Sequence, residues 1–298
     1  MVHRNENPLE NAQDERRVAF VMPGGGSLGA VQVGMLGALH AHGIIADLVV
    51  GTSVGGFNAA FIAADPINGH IALHDVWVAL QRRDLFALAP KGMALGLVGR
   101  RDAIFGNEKL LSFLHRHAPL VRLEHAKIPI AITATDFETG HPVALTHGPA
   151  VSALLATGAI PGIFPAVQRD SRLLVDGGVS AAWPVELALD MGATDVYVLE
   201  TASVQTMQRR RGALAMFERG IDIITDRAVA LERRAVFASH PGRIHEIPAP
   251  HSRTSILDLS TTRDLIDAAK ASTSQWLREH QSLTSSPGIS NELENTTA

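Results

Sequence analysis

Apolar residues in this chain fall into two kinds of segment that alternate along it. Val18-Ala-Phe-Val-Met22 is apolar at every position and stops at Pro23 and three glycines, the pattern of a strand buried on both faces. Leu28, Gln32, Met35 and Leu39 instead repeat at helical spacing, and Gly43 supplies a C-terminal stop for the predicted helix. Leu48-Val-Val50 predicts a second strand ending at Gly51, and Phe57, Ala60, Phe61 and Ala64 mark the next helix. Ile128 to Thr135 and Leu173-Leu-Val175 predict further strands, as do Asp195 to Glu200 and Arg243 to Ile247. Between them, Pro184 to Met191 predicts a helix with proline in its first turn and Gly192 after its end. Doubly buried strands alternating with helices imply an α/β fold around a largely parallel sheet covered on both sides.

Neither a linker-like composition nor an internal repeat interrupts the pattern from about Arg17 to about His280. One domain over 17–280 is therefore expected, with flexible tails at 1–16 and 281–298, the latter rich in Ser, Thr, Asn and Gly. The 46% apolar content suits a chain that buries a large core. A net charge of −4 argues against nucleic acid as a partner. The chain has no cysteine, which excludes disulfides and thiolate chemistry and fits a cytoplasmic setting. Its polar first 17 residues do not read as a signal peptide. The uncharged stretch Val18 to Ala46 contains Pro23 and seven glycines, so it reads as strand, turn and helix rather than a membrane span.

Three segments carry chemistry. Gly24-Gly-Gly-Ser-Leu-Gly29 follows a strand and opens a helix, and Gly24, Gly26 and Gly29 satisfy the spacing of a dinucleotide fingerprint. That reading needs an acid at the end of the second strand, whereas Asp47 precedes the strand. What remains is a run of backbone N–H groups suited to negative charge. Gly51-Thr-Ser53-Val-Gly55 lies at a predicted strand-to-helix turn, the context of a nucleophile elbow, with the Val54 N–H aimed where an oxyanion forms. An ordinary helix N-cap serine is the alternative. Asp176-Gly177-Gly178 follows an apolar strand, where the end of a parallel strand would present a working carboxylate; by itself it reads sooner as an ordinary turn.

Together, in this order, the three segments resemble the patatin-like phospholipase family, as do Thr135-Asp136 through Gly140 and Ala159-Ile-Pro-Gly-Ile-Phe-Pro165. The resemblance implies a three-layer α/β/α sandwich and a Ser–Asp dyad without histidine. Ser53 would be the nucleophile, Asp176 its base, and the Gly25 and Gly26 amides oxyanion donors beside Val54. Gly24, Gly29, Gly51, Gly55, Gly177 and Gly178 would support the motifs. The implied activity is cleavage of lipid carboxylic esters, by a scheme that needs no metal or cofactor. Peripheral contact with a membrane is a separate expectation. Many members carry a basic residue where this chain has Leu28, and an asparagine where it has Ala182.

Other readings compete. An α/β-hydrolase triad would use His240, His245 or His251 as base, but that fold usually needs strands that the short segment before Ser53 cannot supply. A segment with Leu214, Phe217, Ile221, Ile224, Ala228, Leu231 and Ala235 at helical spacing, flanked by arginines, suits a membrane or partner surface, or a helix packed over the sheet. His70 and His74, and His115, His117 and His125, lack a carboxylate in a ligand pattern. The glycine-broken apolar region Leu85 to Phe105 suits a cover over the cleft or an irregular packed connection.

Overall fold

The computed structural model describes residues 16–86, 102–201, 213–240, 244–252 and 258–280. The strands are β1 (Val18–Met22), β2 (Leu48–Thr52), β3 (Ile130–Asp136), β4 (Pro142–Leu145), β5 (Val167–Arg169), β6 (Arg172–Asp176), β7 (Asp195–Leu199) and β8 (Ile244–Ile247). The helices are α1 (Ala30–Ala41), α2 (Val54–Ala64), α3 (Gly69–Ala79), α4 (Arg82–Leu85), α5 (Glu108–His117), α6 (Ala150–Thr157), α7 (Val185–Asp190), α8 (Ala213–Ser239) and α9 (Thr262–Glu279).

The strands form one sheet, hydrogen-bonded in the sequence β5-β6-β3-β2-β1-β7-β8, with β4 also paired to β3. β3, β2, β1, β7 and β8 are mutually parallel. Alternate residues of these strands enter two cores. Phe20, Met22, Val49, Ile132 and Tyr197 face α1, α2, α3, α5, α6 and α9, whereas Ala19, Val21, Leu48, Val50 and Val198 face Trp183, α7 and Val236 of α8. This is the expected α/β/α sandwich. α1 and α9 pack so closely that a Cβ at Gly34 would lie 2.1 Å from the Ile266 carbonyl oxygen.

One expectation needs correction. Asp176 does not end a parallel strand: β6 runs antiparallel to β3. The register explains what this achieves. β2 pairs with Ile130 to Thr133, and β6 with Ala134 to Asp136. β4 occupies the other edge of β3, because Ile132 and Thr133 pair with both β2 and β4, and Ala134 with both β4 and β6. β2 and β6 therefore lie along the same edge of β3 and approach each other head-on. Thr52 ends one opposite Thr133, and Asp176 ends the other opposite Ala134.

Candidate active site

The head-on strands deliver Ser53 and Asp176 to one point. Ser53 forms the turn between β2 and α2 with φ 54 and ψ −125. A β-carbon in this left-handed region is strained by about 1–3 kcal/mol, so the surroundings must hold it. They do so by close packing: a Cβ at Gly55 would lie 1.9 Å from Met22 O, and one at Gly51 2.4 Å from Gly55 O. The Ser53 N–H donates to Thr157 Oγ1 at 2.7 Å, tying the elbow to the end of α6.

Ser53 Oγ donates to Asp176 Oδ2 at 2.7 Å. Asp176 Oδ1 accepts from the Gly178 N–H at 2.7 Å. The carboxylate is buried, and that burial pushes its pKa up to about 6, against the lowering pull of the Ser53 and Gly178 hydrogen bonds. Threonines from the sheet fix the loop that follows. Thr52 Oγ1 lies 2.7 Å from Thr133 Oγ1 and donates to Ala181 O at 2.9 Å, while Thr135 Oγ1 donates to Asp176 O at 2.9 Å. Gly177 passes so near β3 that a Cβ there would stand 2.3 Å from Thr133 Oγ1.

The glycine loop runs beside the serine, since a Cβ at Gly24 would meet Ser53 Cβ at 3.2 Å and one at Gly29 would meet Val54 Cγ2 at 2.7 Å. Gly26 and Val54 line one cleft with Ser53, and Gly25 packs against Thr201. A buried chain of hydrogen bonds holds this loop. Trp77 Nε1 donates to Asn58 Oδ1 at 2.9 Å, Asn58 Nδ2 to Gln32 Oε1 at 2.8 Å, and Gln32 Nε2 to Pro23 O at 2.8 Å. The rest of the cleft is apolar, with Phe57, Trp77 and Leu80 on one part of its wall and Leu110, Phe113, Leu114 and Leu154 on another. Ile160 and Phe164 also line it, as do Leu85 and Phe86 from the start of the glycine-broken region. Residues 87–101 of that region lie outside the described residues.

The histidines sit elsewhere. His245 Nε2 is 2.6 Å from Asp195 Oδ1, and His240 and His251 are exposed. Among the described residues, no three His, Asp or Glu side chains gather as a metal site. Thr157, Asn58 and Trp77 were not singled out from the sequence. Each acts across a long chain separation, so no local pattern marks it.

A family model described as patatin-like phospholipase matches residues 20–189. The chain belongs to this family. Among patatin-like relatives, an uncharacterized NTE family protein of Mycobacterium tuberculosis is 31% identical over 175 residues, covering 57% of this chain and 44% of that one. Patatin-like phospholipase domain-containing protein 7 of Rattus norvegicus is 27% identical over 203 residues, covering 67% of this chain and 15% of that one. The chain thus spans less than half the length of either relative. VipD from Legionella pneumophila shares the fold, with a TM-score of 0.50 and 12% identity over 89% of this chain and 67% of that one.

Proposed function

We propose that this patatin-like protein is a serine acyl hydrolase that cleaves carboxylic esters of phospholipids or lysophospholipids through a Ser53–Asp176 dyad. The observation that carries the reading is the 2.7 Å Ser53–Asp176 hydrogen bond at an apolar cleft. With a pKa of about 6, Asp176 is mostly ionised at neutral pH yet more basic than an exposed aspartate. It takes the Ser53 proton as Oγ attacks the ester carbonyl, and the tetrahedral oxyanion turns toward the N–H groups of Gly25, Gly26 and Val54. Each such donor is worth about 3 kcal/mol at the transition state. Collapse leaves the acyl group on Ser53, and the departing alcohol carries off the proton that Asp176 returns. Water then loses a proton to Asp176 as it attacks the acyl-enzyme; the carboxylic acid leaves and Ser53 recovers its proton.

Family membership and the apolar cleft support a lipid substrate, because an acyl chain needs a dry wall beside the nucleophile. The test is labelling with a fluorophosphonate, followed by a panel of phospholipids, lysophospholipids, glycerides and simple esters. Labelling is expected at Ser53 and absent in Ser53→Ala, with fatty acid released from phospholipid or lysophospholipid. A labelled Ser53→Ala protein would place the nucleophile elsewhere.

A further inference from the structure

The long helix α8 presents a surface that the site does not use. β7 runs parallel to β1, and Thr201 just beyond it donates to Gly24 O at 2.8 Å, so β7 ends at the edge that holds Ser53. β8 restarts parallel to β7 from Ile244, opposite Val196, so α8 must return from that edge to the other. Its 27 residues span about 40 Å, whereas a five-residue strand spans about 17 Å. Among the described side chains, contacts with the sheet layer run from Val229 onward: Val229 packs on the core, Val236 is buried, and Arg233 reaches Glu200 at 2.5 Å and Glu246 at 2.8 Å. Glu200 directly follows β7, so Arg233 is already level with the Ser53 edge and the turns upstream of Val229 overhang it.

The face turned away from Val229 and Val236 is apolar and cationic. Met216, Ile223, Ile224 and Leu231 are 68%, 46%, 68% and 66% exposed, and Arg227 and Arg234 are exposed among them. At helical periodicity all six lie within about 60° of the direction opposite Val229. Asp226 and Glu232 fall within about 60° of Val229 itself, so acids flank the inner side. We propose that this outward face of α8 docks the protein on a bilayer carrying anionic headgroups, beside the edge where Ser53 works. Apolar side chains enter the acyl boundary while the arginines reach lipid phosphates, the arrangement of an interfacial helix. A second copy fits less well. Arg227 lies at the middle of the face, and a two-fold axis there would set it against its own copy.

The proposal takes the nature of the surface from the lipid hydrolase reading, and its test separates the two. Flotation uses the full chain with vesicles of phosphatidylcholine, or of equimolar phosphatidylcholine and phosphatidylglycerol. The protein and its Ser53→Ala variant are expected to float with the anionic vesicles. Replacing Arg227 and Arg234 together by glutamine should weaken partitioning about 25-fold, at about fivefold per arginine. Ile224→Glu with Leu231→Glu should abolish flotation, and both double variants should hydrolyse a soluble short-chain ester at the unmodified rate. No flotation by the unmodified protein, or flotation unchanged in the variants, overturns the proposal. So does a dimer seen by light scattering that Ile224→Glu with Leu231→Glu dissolves, which assigns the face to a second copy. A protein that floats as expected but takes no fluorophosphonate supports the docking face and refutes the hydrolase.

Discussion

Replacing Asp176 by asparagine should disable the proposed hydrolase and stabilise the protein. Burial raises this carboxyl from an ordinary 3.8 to about 6, a gap of about 2 units. At about 1.36 kcal/mol per unit, holding the charged form inside the fold costs about 3 kcal/mol at pH 7. Because the folded-state pKa is the higher one, the folded protein keeps this proton longer than the unfolded chain. Wild-type stability therefore declines as pH rises from about 4 to about 6, and levels off above that window. Asparagine does not titrate, keeps an Oδ1 acceptor for the Gly178 N–H, and can donate to Ser53 Oγ. Urea denaturation at a series of pH values should show Asp176→Asn about equal to wild type below about pH 4 and up to about 3 kcal/mol more stable at pH 7. Ester cleavage should fall by at least about two orders of magnitude. In wild type, kcat/KM should rise with pH through a limb near 6 as the base ionises. A stability difference that is flat with pH, or a variant less stable at pH 7, would refute the reasoning.

Three further outcomes are expected. Thr157→Val removes the partner of the N–H of the strained, half-buried Ser53, so it should lower stability by about 1–3 kcal/mol in denaturation and reduce kcat more than it raises KM. Asn58→Leu unpairs Trp77 Nε1 and Gln32 Oε1 together, and should cost about 2–5 kcal/mol by the same measurement. For p-nitrophenyl esters, kcat/KM should climb from acetate toward medium chains by up to about 0.8 kcal/mol per methylene. Gly158 lines the cleft, and its added Cβ would have ordinary contacts of 3.5 Å and 3.9 Å; Gly158→Leu should therefore flatten that climb while sparing acetate.

β1, β2, β3 and β7 were legible because consecutive apolar residues put apolar side chains on both faces of each, which is the mark of a strand covered on both sides. β4 and β5 were not: one starts with proline and is largely open to solvent, the other has three residues, so neither leaves a pattern long enough to read. The direction of β6 was misread because local composition records burial and not polarity. The strand-to-helix turn at Ser53 was legible from its glycine spacing. Asp176 became meaningful through the resemblance to patatin-like proteins, since its neighbours alone spell a common turn. Thr157 and Asn58 resemble any other buried polar residue until the folded chain brings their partners to them.

The head-on arrangement of β2 and β6 has a consequence for how activity depends on the integrity of the chain. Ser53 is presented by a strand that precedes β3, and Asp176 by one that follows it; what aligns them is the shared edge of β3. Between β3 and β4 the chain turns through residues 137–141, all exposed. A single break there leaves the serine and β3 on one fragment and the aspartate on the other. Neither fragment holds a working pair, and hydrolysis would return only on reassembly of the sheet. On the proposed mechanism, turnover reports the docking of two halves of the fold, and a nick in this exposed turn would silence the hydrolase.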